Sequence, residues 1–174
     1  MTEIFSFPAV ASANARVLIL GSMPGIRSLE QQRYYAHAQN SFWYIIENLF
    51  GIDSSLEYEQ RLELVKKKNI AIWDVLKACR RGGSLDSAIE SESIVANDFE
   101  IFLGQYQNIK CIFFNGSKAE QEFNKRVLPL ISESHKELNY QRLPSTSPAH
   151  AAITRQEKLR QWMMVKDCLL HADC

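Results

Sequence analysis

Two tyrosines, a histidine and an asparagine sit close together in Tyr34-Tyr35-Ala36-His37-Ala38-Gln39-Asn40. The amide of Asn40 offers a donor and an acceptor, so it can hold a water or the polar edge of a heterocycle. It cannot deprotonate water as a carboxylate can. Its plainer role is to cap the helix that Phe42-Trp43 would begin. Tyr35 presents a flat face on which an aromatic ligand can stack, or else simply packs the loop. His37 can orient the loop or contact a phosphate, although a lone histidine is more often structural. Asn115, at the end of an apolar run, has the paired donor and acceptor needed to read a lactam edge, but Asn-Gly is also an ordinary turn dipeptide. Asp74 can serve as a second polar group beside a pocket or cap the next turn. Hydroxyls and prolines crowd Ser145-Thr146-Ser147-Pro148-Ala149-His150, a composition that suits phosphate oxygens and equally suits a surface turn.

These residues need elements to position them. The runs Val17 to Leu20, Ile70 to Trp73 and Ile109 to Phe114 are continuously apolar, as are parallel strands covered on both faces. A weaker run, Tyr140 to Leu143, enters the Pro/Ser/Thr turn. Helical spacing appears in Phe42 to Leu49. Ser54-x-x-Glu57, Ser117-x-x-Glu120 and Thr154-x-x-Glu157 each have capping-box spacing, and the last of these predicts a helix from about Arg155 to Leu169-Leu170. Alternating strands and helices predict an α/β fold, a three-layer α/β/α sandwich around a central, mainly parallel four-stranded sheet. Ligands of such sheets bind outside the carboxyl ends of the strands. Gly21 to Asn40, Asn115-Gly116-Ser117 and Pro144 to His150 all follow candidate strands at that end.

The composition sets limits on what this framework can do. The 174 residues fit one domain spanning 1–174, without repeats or a linker. Lysine plus arginine and aspartate plus glutamate number 20 each, so there is no bulk positive charge to advertise a polyanion partner, although a local patch can exist on a neutral protein. No basic leader and no membrane-length apolar run is present, and a soluble cytoplasmic protein without membrane association is expected. The scattered Cys79, Cys111, Cys168 and Cys174 suggest reduced thiols. Neither an iron–sulfur cluster nor the terminal Cys168-x-x-His171-x-x-Cys174 is expected to hold a metal. A hydrolase using Ser147, His150 and Asp86 would lack the Gly-x-Ser-x-Gly elbow.

Gly21-Ser22-Met23-Pro24-Gly25 forms a tight turn after the first strand, but with no Gly-Lys-Ser/Thr it is not a P-loop. Together with Tyr35-Ala36-His37-x-x-Asn40-x-Phe42-Trp43 it resembles the first motif of the uracil-DNA glycosylase superfamily. The pattern is most similar to that of the hypoxanthine-DNA glycosylase family, and more distantly to that of the mismatch-specific branch. Ile72-Trp73-Asp74-Val75-Leu76, Gly83-Ser84-Leu85-Asp86, Phe113-Phe114-Asn115-Gly116 and Leu143 to Ala149 extend the resemblance across the chain. It implies a monofunctional DNA glycosylase that removes deaminated bases (hypoxanthine, uracil or both) in base-excision repair, without a cofactor or metal. The partner would be DNA with deaminated or mismatched bases, and the state a monomer. Met23 stands where the mismatch-specific branch has a water-positioning asparagine, so the catalytic asparagine is expected at Asn40. An amide suits a dissociative path, in which the base departs as a stabilised anion before water adds. The resemblance places Gly21, Ser22, Met23, Pro24, Tyr35 and Asn115 against the base, and Ser145, Thr146, Ser147, Pro148, Ala149 and His150 against DNA. His37 and Asp74 are given supporting roles. The rival expectation is a non-catalytic DNA- or nucleobase-binding protein of the same fold.

Overall fold

The computed structural model describes residues 2–171. Its centre is a four-stranded sheet of β2 (Val17–Gly21), β3 (Ile70–Asp74), β6 (Cys111–Asn115) and β7 (Asn139–Leu143), in the order β3-β2-β6-β7 with every pairing parallel. Side chains alternate across it. Leu18, Leu20, Ile112 and Phe114 enter one core with α4 (Phe99–Gln105) and α5 (Ser117–Arg126). Val17, Ile19, Cys111 and Phe113 enter the other, with α2 (Phe42–Phe50), α3 (Tyr58–Lys67) and α7 (Arg155–His171). Two apolar faces explain why the strands are apolar throughout. The expected three layers and parallel sheet are present.

A second sheet was not foreseen. The strands β1 (Glu3–Phe5), β4 (Leu76–Arg80) and β5 (Val95–Ala96) pair antiparallel in the order β1-β4-β5. They are short, and burial along β4 does not alternate cleanly, so their signal is weak. A single residue, Val75, separates β3 from β4. The amides of Val75 and Leu76 donate to the carbonyls of Gly21 (2.9 Å) and Ser22 (3.1 Å), binding this bend to the end of β2. The remaining α-helices are α1 (Ile26–Gln31) and α6 (Glu133–Lys136).

The helix starts differ in detail from their sequence signatures. The α3 helix begins at Tyr58, and the Ser54 hydroxyl instead donates to Glu47 at 2.6 Å. Gly116 precedes α5, so Ser117 is its first residue rather than its cap. At α7, Thr154 Oγ1 does accept the Glu157 amide, at 3.1 Å. The cysteine expectation is corrected in one respect. Cys111 and Cys168 are joined as a disulfide, because β6 presents Cys111 on the face that α7 covers, while Cys79 is free and buried. Cys174, and with it the terminal Cys-His-Cys arrangement, lies outside the described residues.

Trp162 anchors α7. It is fully buried, meets Phe42 edge-on at 6.1 Å, and donates from Nε1 to the Pro144 carbonyl at 2.9 Å. Trp162→Ala is expected to lower stability by about 3–5 kcal/mol in denaturant titrations, because it removes both a core side chain and the support of the 144–150 loop.

Candidate active site

The three unusual loops meet at the carboxyl end of the parallel sheet around a cavity of about 370 Å³. Every residue that the sequence singled out contributes to its wall, namely Gly21 to Pro24, Tyr35, His37, Asn40, Asp74, Asn115 and Ser145 to His150. They are not equivalent, because some have their polar atoms committed elsewhere in the protein.

Thr146 is the joint between the loops. It is buried, its carbonyl accepts the Ser41 amide at 2.9 Å, its amide donates to Asn115 Oδ1 at 2.9 Å, and its hydroxyl accepts from Asn115 Nδ2 at 2.9 Å. The Asn115 side chain is thereby largely spent, with one N–H and one lone pair remaining for a ligand. The Thr146 hydroxyl faces inward, whereas Pro148 and Ala149 form the exposed tip of the loop. Lys158, which sequence alone reads as a solvated charge, is buried and donates to the Ser147 carbonyl at 3.3 Å. Gly116 has a φ of +95°, and a Cβ there would stand 3.0 Å from Ser145 Cβ, so the turn beneath this loop requires glycine.

Ser41, not Asn40, is the N-cap of α2, but Asn40, one residue before it, still meets the first helical amide. Its Oδ1 accepts the Phe42 amide at 2.9 Å, and its own amide donates to the His37 carbonyl at 2.9 Å. This leaves Nδ2 to donate toward a ligand. Nδ1 of the exposed His37 accepts the Gln39 amide at 3.1 Å, which shapes the same turn. Tyr34 and Tyr35 have separate fates. Tyr34 is buried with its hydroxyl on the Pro8 carbonyl at 3.0 Å, whereas the Tyr35 ring lies against Phe42 at a centroid distance of 3.8 Å, nearly parallel at 17°. Tyr35 has a φ of +56°. For an L-residue this left-handed conformation costs about 1–2 kcal/mol, strain of the kind that marks functional loops. Burial and then the charge of Asp74 raise the Tyr35 hydroxyl's pKa, and the neighbouring Asn115 side chain lowers it.

Asp74 forms the floor with Gly21. An ideal Cβ on Gly21 would stand 2.5 Å from Asp74 Oδ1 and 3.5 Å from the Tyr35 hydroxyl oxygen, so only glycine permits the approach. Asp74 is 4% exposed, and neither its Oδ2 nor the Tyr35 hydroxyl has a hydrogen-bond partner. Burial, reinforced by Asp86 and opposed by Arg81, pushes its pKa up to about 7. Met23 is also buried and belongs to the core beneath the cavity.

The Ser84-Leu85-Asp86 segment does line the cavity, and its support by Arg81 was missed from sequence. Buried Arg81 donates to the carbonyls of Pro24 and Gly83, Ser84 Oγ accepts the Ile26 amide at 2.8 Å, and the Ser22 hydroxyl donates to Asp86 at 2.8 Å. Together they clamp the 81–86 segment over the Gly21–Gly25 turn. Arg80-Arg81 looks like surface charge in sequence, and only the second turns inward. Among the described residues, no cluster of three or more His, Cys, Asp or Glu is placed to hold a metal.

A second concavity of about 340 Å³ shares Tyr34, Tyr35, His37 and Asn40 with the first, and Arg33, Arg61 and Arg155 line it. Arg61 lies over the Trp43 ring at 4.3 Å, Arg33 over Tyr58 at 5.4 Å and Arg155 over Tyr44 at 4.9 Å. Among the described residues none of the three is ion-paired with a carboxylate, although Glu47 lines the same concavity.

Residues 7–167 match the family described as the uracil DNA glycosylase superfamily. The chain is 41% identical over 114 residues to a hypoxanthine DNA glycosylase of Methanosarcina barkeri, a match covering 65% of this chain and 71% of that protein. With a hypoxanthine DNA glycosylase of Methanosarcina acetivorans it shares 37% identity over 145 residues, covering 78% and 90%. It also superposes on the solution structure of a candidate uracil DNA glycosylase from Methanosarcina acetivorans with a TM-score of 0.80 and 32% identity, over 98% of this chain and 100% of that one.

Two outcomes follow from the geometry. Asn115→Ala is expected to cost about 1–3 kcal/mol by orphaning Thr146 and to raise amide exchange across 144–150, whereas a purely ligand-facing asparagine would leave both unchanged. The raised pKa of Asp74 means that the native state keeps a proton that the unfolded chain releases between the ordinary 3.8 and about 7. Stability from this group therefore falls as pH rises through that window. Asp74→Asn should remove the fall, measured as denaturation midpoints against pH.

Proposed function

The chain belongs to the uracil DNA glycosylase superfamily and is a DNA glycosylase, and from that premise we propose that hypoxanthine in DNA is its main substrate, with uracil second. The observation that carries this reading is the cavity at the sheet's carboxyl end, lined by Tyr35, whose ring is backed by Phe42, by Asn40 and by the buried Asp74. Its size and polarity suit a single flipped base. The names of the two archaeal relatives favour hypoxanthine.

In this reading Tyr35, held flat by Phe42, stacks on the extruded base. The Gly21–Pro24 turn closes over it. Asn40 Nδ2 donates either to the attacking water or to charge developing on the departing base. It acts as a fixed dipole rather than as a proton acceptor, because the helix amide already occupies its carbonyl. The base leaves as a stabilised anion, and water then captures the sugar cation. Asn115 acts chiefly as the strut that sets the 144–150 loop. The exposed Pro148-Ala149 tip fills the space vacated in the duplex, while Ser145, Ser147 and His150 approach the flanking backbone. Thr146 contributes from within by holding the loop, and His37 by shaping the turn. Arg33, Arg61 and Arg155 extend the phosphate-binding surface along the second concavity. No lysine forms a Schiff base, so the strand is left intact at an abasic site. We propose a monomer as its state, as the family resemblance implies. No helix of the described residues is long and apolar enough to cross a membrane, and we place the enzyme in the cytoplasm with the DNA that it repairs.

Duplexes containing one hypoxanthine, uracil, xanthine or mismatched thymine, treated with alkali after incubation, test the reading. Base release is expected at hypoxanthine and more slowly at uracil, with Asn40→Ala reducing single-turnover rates by about 10²–10³-fold. A folded protein that binds these duplexes and yields no abasic sites would instead be a binding module.

A further inference from the structure

Resting on that reading, the wall of the cavity carries a further assignment. Buried side-chain atoms without a hydrogen-bond partner are, among the described residues, Asp74 Oδ2, the Tyr35 hydroxyl and Arg81 Nη1. Arg81 lies behind the turn and does not line the cavity, whereas Asp74 and Tyr35 do. The amides are less available, since Asn115 is bonded twice to Thr146 and the Asn40 carbonyl is bonded to Phe42. An unpaired oxygen in a well-packed floor is costly unless a ligand satisfies it. Gly21 gives up its side chain to admit this carboxyl.

An ionised carboxylate can only accept hydrogen bonds. Deamination converts the ring nitrogen next to the exocyclic group from an acceptor into an N–H donor, as adenine becomes hypoxanthine and cytosine becomes uracil. We propose that Asp74 is the specificity-determining residue, its carboxylate accepting the ring N–H that deamination creates. Adenine and cytosine would set a lone pair against the same oxygen and leave it unpaired. Guanine and thymine carry the same N–H, so their exclusion falls to the shape of the cavity.

The groups facing Asp74 set its protonation in the free enzyme. Asp86 from the 86–88 turn disfavours ionisation, Arg81 beyond β4 favours it, and the Tyr34 and Tyr35 hydroxyls stand within its field. A ligand N–H stabilises the ionised form. Affinity for hypoxanthine therefore weakens as pH falls below about 7, and this appears in KM more than in kcat.

The test uses duplexes carrying hypoxanthine or 1-methylhypoxanthine, which lacks the N–H, with wild-type protein, Asp74→Ala and Asp74→Asn. Comparing each variant with wild type on the same duplex cancels differences in the cost of flipping. Wild type is expected to disfavour the methylated base by about 10²-fold or more in kcat/KM. Asp74→Ala should lose about 10²-fold on hypoxanthine and treat the two bases alike within about threefold. Asp74→Asn keeps the volume and an acceptor, so it decides the matter even if the alanine variant fails to fold. It should retain hypoxanthine turnover within about tenfold of wild type, with a KM that no longer rises toward acid pH. Asp74→Ala that keeps the wild-type discrimination, or Asp74→Asn that keeps the wild-type pH profile, overturns this assignment alone. Wild-type protein that releases neither base overturns the enzyme reading and the assignment with it.

Discussion

A buried polar group must find a partner or pay for its desolvation, and that obligation assembles the site. The loops that form the cavity come from strand ends far apart in sequence, and few apolar contacts hold them to one another. Thr146 binds two of them through its carbonyl, amide and hydroxyl. Arg81, Ser84 and Asp86 hold the Gly21–Gly25 turn from behind. Each of these hydrogen bonds is short-range and directional, so the loops are fixed in mutual orientation more tightly than apolar packing alone would achieve.

The same obligation sorts the functional atoms from the structural ones. Asn40, Asn115 and Thr146 look alike in sequence, as polar residues in motifs that would face a ligand. In the fold, Thr146 is committed through its carbonyl, its amide and its hydroxyl oxygen, Asn115 through both ends of its amide, and Asn40 through its side-chain carbonyl. Asp74 and Tyr35 keep a buried oxygen without a partner, and both are held there at a cost. Tyr35 carries a left-handed backbone, and Asp74 carries a carboxyl whose ionisation the surroundings oppose. A protein holds such atoms in place where they are used. Gly21 is the geometric condition for both, since a methyl group on its α-carbon would displace the carboxyl outright.

The central sheet was legible because its strands bury both faces. Val17 to Leu20 and Ile70 to Trp73 leave no period that a surface helix could use. The antiparallel sheet was not legible, since Leu76–Arg80 alternates imperfectly and Val95–Ala96 is too short to carry a pattern. Membership of the site was legible through the motifs, which lie in loops. The roles within it were not, because a role depends on which neighbour takes each lone pair. Nothing near Asn115 in sequence reveals that Thr146 will occupy its amide, and nothing distinguishes Arg81, turned inward to Pro24, from Arg80, which pairs with Glu90 at the surface. Cys111 and Cys168 make the same point, being distant in sequence and adjacent only once α7 crosses the sheet.

The neutral charge of the chain is reconciled with a polyanionic substrate by pairing rather than by composition. Arg142 is held by Glu120, Arg160 by Glu157, and Lys118 and Arg126 by the buried Glu122. Those cations are locally cancelled and contribute little field beyond a Debye length. Arg33, Arg61 and Arg155 rest on aromatic rings instead. A ring orients a guanidinium without neutralising it, so these cations keep their charge for a phosphate. Burial first, and then Arg33, disfavour the charged form of Arg61, while Tyr58, Glu57 and Glu59 favour it. The net charge of zero is thus an average over ion-paired and other cations, and Arg33, Arg61 and Arg155 line a concavity beside Tyr35 and Asn40, where a DNA backbone entering the cavity would pass.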